Sequence, residues 1–322
     1  MDFISNCTAD AISAAAQALI NGHLVAFPTE TVYGLGADAT NEKSVARIFS
    51  VKGRPIDHPL IVHISSINKL ENWATDIPEY AIKLAEKFWP GPMTLILPRK
   101  KIAKDFITGG QNSVGLRVPA QSTALALLNR FEALGGYGVA APSANRFGAL
   151  SPTTAIAVAE ELEDYCSPKD LILDDGPCLV GIESTIIDCT SDSPGILRPG
   201  AITQESIQNL TGAHFDVQFK SELIRTSGML KAHYSPRAKV RLNESPNMGD
   251  GFIALSNIPT PSGVIRLGEI ETTEQFAQKI YELLRLGDAK GLETISVILP
   301  TQGDLAEALA DRMIKASAGK SK

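Results

Sequence analysis

Two hydrophobic spacings alternate along this chain, and together they predict an α/β protein. Apolar residues at helical spacing predict helices at residues 9–20, 41–53, 67–73 and 78–88. Short, continuous apolar runs lie between these helices and predict buried strands at residues 23–27, 59–64, 93–97 and 113–118. Strands that alternate with helices in this way favour a sheet that is covered by helices on both faces.

Glycine and proline mark two further local features. The glycine-punctuated segment 32–36 predicts a turn. Segment 148–152 predicts the start of a helix at residues 153–162, with Ser151 at the N-cap and Pro152 in the first turn. Beyond this helix, apolar runs predict strands at residues 171–174, 184–189 and 195–198.

A change of pattern near residue 212 predicts two domains. From there to about residue 236 no period persists, and after it strands are predicted at residues 239–242, 251–255, 264–267 and 294–299. Helices are predicted between and after these strands, at residues 273–286 and 304–316. We therefore divide the chain into a larger domain at 1–212, a linker at 213–238 and a smaller α/β domain at 239–322.

Composition narrows the class of protein. The 322 residues are 44% apolar, which is enough for a conventional core, and the formal net charge of −6 argues against a protein whose main role is to wrap nucleic acid. The four cysteines, Cys7, Cys166, Cys178 and Cys189, lack the CxxC spacing of a structural zinc site. The N-terminus lacks a basic leader and no apolar run reaches membrane-spanning length, so we expect a soluble cytoplasmic protein.

Two short polar motifs are the first candidates for chemistry. Residues 52–54 (Lys-Gly-Arg) close a predicted helix and combine a mobile ammonium with a planar guanidinium, which suits polyphosphate or carboxylate groups. Residues 143–145 (Ser-Ala-Asn) follow the apolar run 137–141, and their short side chains let a ligand approach the backbone. Together they predict a nucleotide or phosphate pocket, whereas each alone also fits surface charge or an ordinary turn.

Other catalytic patterns are missing from the sequence. There is no Gly-x-Ser-x-Gly elbow and no plausible Cys-His pairing, so a covalent hydrolase is disfavoured. The Walker and Rossmann glycine motifs are also missing, so a nucleotide would need another arrangement. Asp174 and Asp175 lie near a predicted strand end, where a solvated turn explains them better than a metal site.

A series of longer motifs carries a family resemblance. In chain order they are FPTETVYGLGADA from Phe27, KGRPIDHPL, WPGPMTLIL, VGLRVPA, APSANRFGALSPT, GIESTIID and ILRPGAI. Over residues 5–212 the chain thereby resembles the YrdC/Sua5 family of threonylcarbamoyl-AMP synthases. SGMLKAHYSPRAKV from Ser227 is similar to the signature that joins the extra C-terminal domain in Sua5-type members. The resemblance implies a YrdC-like twisted mixed sheet, a Rossmann-like C-terminal domain and a linker that acts as a lid.

The resemblance also implies a nucleotidyltransferase reaction. L-Threonine and bicarbonate or CO2 would give an N-carboxythreonine that attacks the α-phosphate of ATP and releases pyrophosphate. The product, L-threonylcarbamoyl-AMP, would pass to the tRNA threonylcarbamoyl-transferase machinery for the t6A modification of tRNAs that read ANN codons. We expect Mg²⁺ to arrive with ATP and no dedicated protein cage for it, weak or no stable tRNA binding, and a monomer.

The residue types fit such a reaction, which needs positioning and charge neutralisation more than covalent help. We assign catalytic roles to Lys52, Arg54, Ser143 and Asn145. The resemblance implies ATP contacts for Arg54, His58, Ser113, Ser143, Ser151, Arg198 and His233. It implies threonine contacts for Thr31, His63, Arg117, the backbone of Ala141, and Ser184.

Simpler interpretations stay open for some of these residues and for the whole chain. Ser151 could serve as a helix cap, His63 as a core histidine and His233 as a domain-packing residue. The main rival function is an RNA-binding module without adenylation activity, which the acidic charge and the lack of an aromatic-basic stripe weaken. A carbamoyl-transfer domain is a second rival, but the zinc-finger cysteines of such proteins are absent from the sequence.

Overall fold

The computed structural model describes residues 4–213, 225–226 and 233–319, and two sheets organise them. Within these ranges, strands β1–β10 form the larger sheet: β1 (Ile4–Asn6), β2 (Val25–Phe27), β3 (Gly34–Asp38), β4 (Ile61–His63), β5 (Met93–Pro98), β6 (Ser113–Arg117), β7 (Val139–Ala140), β8 (Leu171–Asp174), β9 (Thr185–Asp188) and β10 (Gly195–Arg198). Four more form the smaller sheet: β11 (Lys239–Leu242), β12 (Gly251–Ile253), β13 (Ile265–Arg266) and β14 (Thr294–Val297).

The larger sheet is mixed, with the strand order β1-β8-β2-β3-β7-β4-β6-β5-β9-β10. Strand β4 lies parallel to β6, while β7 is antiparallel to both β3 and β4. At the far edge, β9 lies parallel to β5 and antiparallel to β10. This mixture confirms the mixed α/β class that the family resemblance implied.

Helices cover both faces of the larger sheet. They are α1 (Ala9–Ile20), α2 (Glu42–Lys52), α3 (Leu70–Trp73), α4 (Glu79–Phe88), α5 (Asp105–Thr108), α6 (Ser122–Ala133), α7 (Ala155–Leu162) and α8 (Gln204–Thr211). Side chains of β2 alternate between the faces, as the two-residue period of a strand requires. Val25 and Phe27 pack with α1 and α6, whereas Ala26 joins the core that includes α2 and α4.

The structure differs from the sequence predictions at three places. The segment predicted as a turn at 32–36 enters strand β3, because its residues pair with β2 and its glycines fit between Phe27 and the side chains of β7. Ser151 is not a helix cap, since α7 begins at Ala155 and Thr154 accepts the capping hydrogen bond from the backbone N–H of Ala157. The helix α6 was not predicted at all.

The C-terminal unit is a small parallel sheet with the strand order β11-β14-β12-β13. Two helices accompany it, α9 (Thr273–Ala289) and α10 (Ala306–Ser317). This architecture agrees with the small α/β domain expected after the linker, and together with the mixed sheet it confirms the predicted fold class. Its core also contains Val32, Leu150 and Ile182 from the larger domain, so apolar packing is continuous between the two units.

Much of the linker predicted at 213–238, including Lys231 of the proposed lid, lies outside the described residues. Of the rest, residues 225–226 lie against the larger domain, and residues 233–238 lead into β11. In the part of the chain that the structure covers, no helix is both long and apolar enough to cross a bilayer.

Candidate active site

Most of the predicted site residues meet at one cavity. The space between its walls, including the part that is open to solvent, is about 550 Å³. The predicted residues that line it are Thr31, Arg54, His63, Arg117, Ala141, Ser143, Ser184, Arg198 and His233. The candidate residues for phosphate and for the amino acid therefore line the same cavity, although they are distant in the sequence.

Strand register explains why several of these residues are neighbours. His63 at the end of β4 pairs directly with Arg117 at the end of the parallel strand β6. The backbone N–H of Ala141, just after β7, donates to the carbonyl of Ile61 in β4. An isolated bridge between Gly34 and Ser143 then fixes the loop after β7 over the start of β3. The cavity thus lies where strand ends meet loops, which is where α/β sheets commonly bind ligands.

Arg117 is held by a carboxylate that the sequence analysis did not single out. Its Nη2 donates to Glu30 Oε1 at 2.6 Å, and its Nη1 donates to Thr31 Oγ1 at 3.0 Å. Glu30 Oε2 accepts the backbone N–H of Ala120 at 3.1 Å, so both carboxylate oxygens are used. Glu30 and Arg117 are both buried. Glu30 stands inside the quoted FPTETVYGLGADA motif, and an acidic residue between two buried threonines is the signal that could have revealed it.

Lys52 lies behind the cavity wall. It is the last residue of α2, which ends because Gly53 takes the left-handed conformation at φ 61°. Its ammonium group donates to the carbonyl oxygens of Ser143 and Asn145. Burial, and then the nearby charge of Arg54, lowers its pKa well below the usual range for lysine. In this geometry Lys52 fixes the loop at 143–145, and its predicted catalytic role stays a prediction.

The side chain of Asn145 also hydrogen-bonds to the protein backbone. Its Nδ2 donates to the carbonyls of Arg146 at 2.9 Å and Ala149 at 2.8 Å, and the side chain is buried. These bonds hold the chain as it turns away from the cavity. The structure places Ser143 at the cavity wall and Asn145 behind it, so only Ser143 is positioned for the ligand contact that we predicted for both.

An aromatic group lies beside the cavity residue Arg54. The ring of Phe147 lies 5.2 Å from the ring of His58 and 6.1 Å from that of His233, both edge to face. The guanidinium of Arg54 lies 5.6 Å from the centre of the same ring. Sequence reasoning missed Phe147, whose ring contacts those of both His58 and His233.

Ser113 lines a second, smaller hollow of about 290 Å³. Ile61 borders both hollows, so they are adjacent. Linker residue Arg225 lies over this hollow: its Nη1 reaches Asp57 Oδ2 at 3.0 Å, and its Nη2 donates to the carbonyl of Gly109 at 2.7 Å. Ser113 is thus separated from the other predicted ATP residues by the side chain of Ile61.

Ser184 and Arg198 form another wall of the main cavity. Arg198 Nη2 donates to Ser184 Oγ at 3.1 Å, and its Nε donates to the carbonyl of the same residue at 3.0 Å. Ser184 Oγ also lies 2.8 Å from Thr94 Oγ1. The close approach of Gly200 makes this arrangement possible, because a Cβ atom there would lie 2.4 Å from the backbone nitrogen of Thr185.

Glu183 is a second carboxylate that the sequence analysis missed. It lines the cavity and accepts hydrogen bonds from Ser151 Oγ at 2.5 Å, Tyr281 Oη at 3.1 Å and Arg312 Nε at 2.8 Å. Burial raises its pKa, but the guanidinium groups of Arg312 and Arg198 outweigh burial and bring the pKa to about 2. Ser151, predicted as an ATP ligand or a helix cap, therefore serves this carboxylate.

The two cavity histidines are neutral at physiological pH. Burial, and then the positive charge of Arg117, lowers the pKa of His63 to about 3. Burial likewise lowers the pKa of His233 to about 3. Both side chains are buried, and in the described part of the chain their Nδ1 atoms lack hydrogen-bond partners. Each neutral imidazole can therefore donate a hydrogen bond to a ligand or accept one from it.

The donor set does not suit a metal held by the protein. Glu183, which lines the cavity, is paired with Arg312, and Glu30, next to the cavity residue Thr31, is paired with Arg117. Among residues 4–213, 225–226 and 233–319 there is no cluster of three or more potential metal ligands. Asp174 accepts from the backbone N–H of Gly176 at the turn after β8, away from the residues that line the cavity.

Comparisons with known proteins cover nearly the whole length of the chain. Residues 17–200 match the family model of Sua5, YciO and YrdC, which is described as telomere recombination. Residues 202–318 match the model of the threonylcarbamoyl-AMP synthase C-terminal domain.

Individual relatives agree with the family models. The threonylcarbamoyl-AMP synthase of Pyrococcus abyssi is 40% identical, over 95% of this chain and 94% of that protein. The enzyme of the same name from Bacillus subtilis is 37% identical, over 96% of this chain and 93% of its own length. The crystal structure of P. abyssi Sua5 complexed with L-threonine matches with a TM-score of 0.87 and 37% identity, and covers 98% of this chain and 97% of that one.

Proposed function

Because this chain belongs to the YrdC/Sua5 family of threonylcarbamoyl-AMP synthases, we propose that its cavity makes L-threonylcarbamoyl-AMP. The protein is a nucleotidyltransferase that acts on L-threonine, bicarbonate or CO2, and ATP, and its product supplies the t6A modification of tRNA. The observation that carries this proposal is the convergence of Arg54, Arg117 and Arg198 with short hydroxyl side chains on one cavity.

The amino acid fits the side of the cavity formed by Arg117. Its guanidinium is fixed by Glu30 and Thr31 through two of its N–H groups, and its other N–H groups suit a substrate carboxylate. His63 stands beside it as a neutral imidazole and can bond to the amine or hydroxyl of threonine. Ser184 adds a hydroxyl that lines the same cavity. This arrangement supports the assignment of Thr31, His63, Arg117, Ala141 and Ser184 to threonine.

The phosphates of ATP fit the side formed by Arg54 and Arg198. Both guanidinium groups are buried, and burial lowers the pKa of Arg54 to about 10, so it stays protonated at neutral pH. Buried positive charges stabilise the negative charge that develops at phosphorus better than solvated ones do. Ser143 lines the same cavity, and the neighbouring rings of His58, Phe147 and His233 suit stacking against a nucleobase.

Catalysis in this scheme depends on positioning. The carboxylate of N-carboxythreonine attacks the α-phosphorus, the bond to the bridging oxygen breaks, and pyrophosphate leaves with its electron pair. The protein brings the two ends together and excludes water from a labile acyl phosphate. Lys52 contributes by fixing the backbone of residues 143–145. We expect Mg²⁺ to arrive with ATP, on phosphate and water oxygens, because Glu183 at the cavity and Glu30 beside it are both paired with arginine.

We propose ATP, bicarbonate or CO2, and the tRNA threonylcarbamoyl-transferase machinery as further partners. Threonine itself is the ligand of the matching P. abyssi crystal structure. The rival function, RNA binding without adenylation, is not favoured, since the matched relatives are named as synthases and the net charge is −6.

The test is to incubate the purified protein with ATP, Mg²⁺, bicarbonate and threonine, and to detect threonylcarbamoyl-AMP and pyrophosphate by mass spectrometry. Omission of each substrate in turn should abolish both products. Arg54→Ala should remove most of the activity, whereas Arg130→Ala, on the exposed part of α6, should not. Strong, salt-sensitive tRNA binding without any pyrophosphate release would contradict the proposal and favour the RNA-binding rival.

A further inference from the structure

We infer that Arg312, in the C-terminal domain, is a positioning residue for the active site, because its guanidinium joins the residue before Ser184, near the start of β9, to the residue after Arg198, at the end of β10. This inference rests on the proposed function, and it assigns the C-terminal domain a direct part in shaping the substrate cavity.

Arg312 is completely buried, and its donors are directed at the cavity wall. Its Nε donates to Glu183 Oε2 at 2.8 Å, and its Nη2 donates to the carbonyl of Pro199 at 2.9 Å and to that of Glu183 at 3.3 Å. Glu183 directly precedes Ser184, and Pro199 directly follows Arg198. One planar group therefore fixes both strand ends at the points where their side chains enter the cavity.

The remaining hydrogen bonds of Arg312 and Glu183 connect this pair to further side chains of both domains. Arg312 Nη1 donates to Asp311 Oδ2 at 2.5 Å, and Asp311 is itself bonded to Lys315. Glu183 accepts from Ser151 in the larger domain and from Tyr281 in α9. An arginine and a carboxylate are buried together only when their charges and hydrogen bonds are matched, and here they are.

The same helix also holds the linker at the cavity. The backbone N–H of His233 donates to the carbonyl of Lys315 at 3.3 Å, and Arg312 lies 5.6 Å from the ring centre of Tyr234. Both linker residues line the cavity. Helix α10 thus positions both the strand ends and the linker residues that line the cavity, although none of its own side chains lines it.

A lysine at this position could not reproduce the arrangement. Lysine offers a single charged point, whereas the guanidinium presents donors in a fixed plane toward two carboxylates and two carbonyl groups. Loss of the fork would let the ends of β9 and β10 move, and Ser184 and Arg198 would move with them. The expected effect is weaker binding of threonine and of ATP, beyond any loss of stability.

The chain offers a matched control in Arg285. This arginine of α9 also joins the two domains, with Nη1 3.2 Å from Glu161 Oε1 and Nη2 2.6 Å from the carbonyl of Leu150. It lies outside the set of residues that line the cavity. Arg285→Met and Arg312→Met therefore both remove an interdomain arginine, but only the second removes a contact to the cavity wall.

The experiment compares wild type, Arg312→Met, Arg312→Lys and Arg285→Met in the full chain. It measures Tm, the KM values for threonine and ATP, and the dissociation constants of both ligands by calorimetry. We expect Arg312→Met to weaken both ligands at least tenfold, Arg312→Lys to give an intermediate loss, and Arg285→Met to lower Tm with unchanged KM. If Arg312→Met does not fold, Arg312→Lys carries the test.

Unchanged ligand affinity in a folded Arg312 variant would overturn the inference, as would an equal loss of affinity in Arg285→Met. The calorimetric arm keeps this result separate from the proposed function, because ligand binding can be measured whether or not the wild type releases pyrophosphate.

Discussion

The buried pair of Glu30 and Arg117 gives the sharpest single prediction. Glu30→Gln keeps the shape of the side chain but leaves one oxygen to serve two donors, Arg117 Nη2 and the backbone N–H of Ala120. One buried donor then faces an NH2 group, which costs about 1–3 kcal/mol, and Arg117 also loses its counter-charge. Removal of one partner from a buried pair costs about 3–5 kcal/mol in all.

A loss of that size lowers Tm by an amount on the order of 10 °C in a protein with domains of this length. Circular dichroism melting of wild type and Glu30→Gln measures it, and Glu79→Gln is the control because its pair with Lys83 is exposed on α4. Threonine affinity should also fall about tenfold, which corresponds to about 1.4 kcal/mol, because Arg117 is no longer fixed. A Tm within about 2 °C of wild type, with normal threonine affinity, would refute the reasoning.

Three further predictions follow from the same structure. Phe147→Ala removes the ring that His58 and Arg54 contact, so the KM for ATP should rise several-fold in steady-state assays while the KM for threonine changes little. The folded-state pKa of His63, about 3, lies below its unfolded value, so its contribution to stability is complete above about pH 6.5 and is lost as pH falls toward 3. Urea unfolding should show this loss at pH 5, and His63→Gln should reduce it. Gly200→Ala forces a Cβ atom to 2.4 Å from a backbone nitrogen, so it should destabilise the fold by about 1–3 kcal/mol and reduce activity, and a normal denaturation midpoint would contradict this.

Local sequence signals predicted most elements because such an element can carry one signal where it begins and another where it ends. Helix α2 begins at an asparagine cap and ends at a glycine in the left-handed conformation, and the predicted helix at 41–53 follows those signals. The helix α6 escaped notice because its cap is Gln121, a weaker signal than Ser, Thr, Asp or Asn. Ser151 was misread because Pro152 and the two threonines that follow offered several equivalent helix starts, of which Thr154 is the cap.

The site was predictable only where a motif exposes its side chains to the ligand. Arg54, Arg117 and Arg198 line the cavity as the resemblance implied. Glu30 and Glu183 were missed because their function depends on partners from other parts of the chain, and the pairing of Glu183 with Arg312 spans 129 positions. The sequence shows the charge of Lys52 but not the carbonyl groups of Ser143 and Asn145 that its ammonium contacts. Tertiary partners of this kind leave no local pattern.

The most direct test of the central claim is a crystal structure of this protein with L-threonine and a non-hydrolysable ATP analogue. The account predicts both ligands in the cavity of about 550 Å³, with the threonine carboxylate on Arg117 and the phosphates on Arg54 and Arg198. Ligands bound at separate surfaces, or phosphates that contact neither Arg54 nor Arg198, would contradict it.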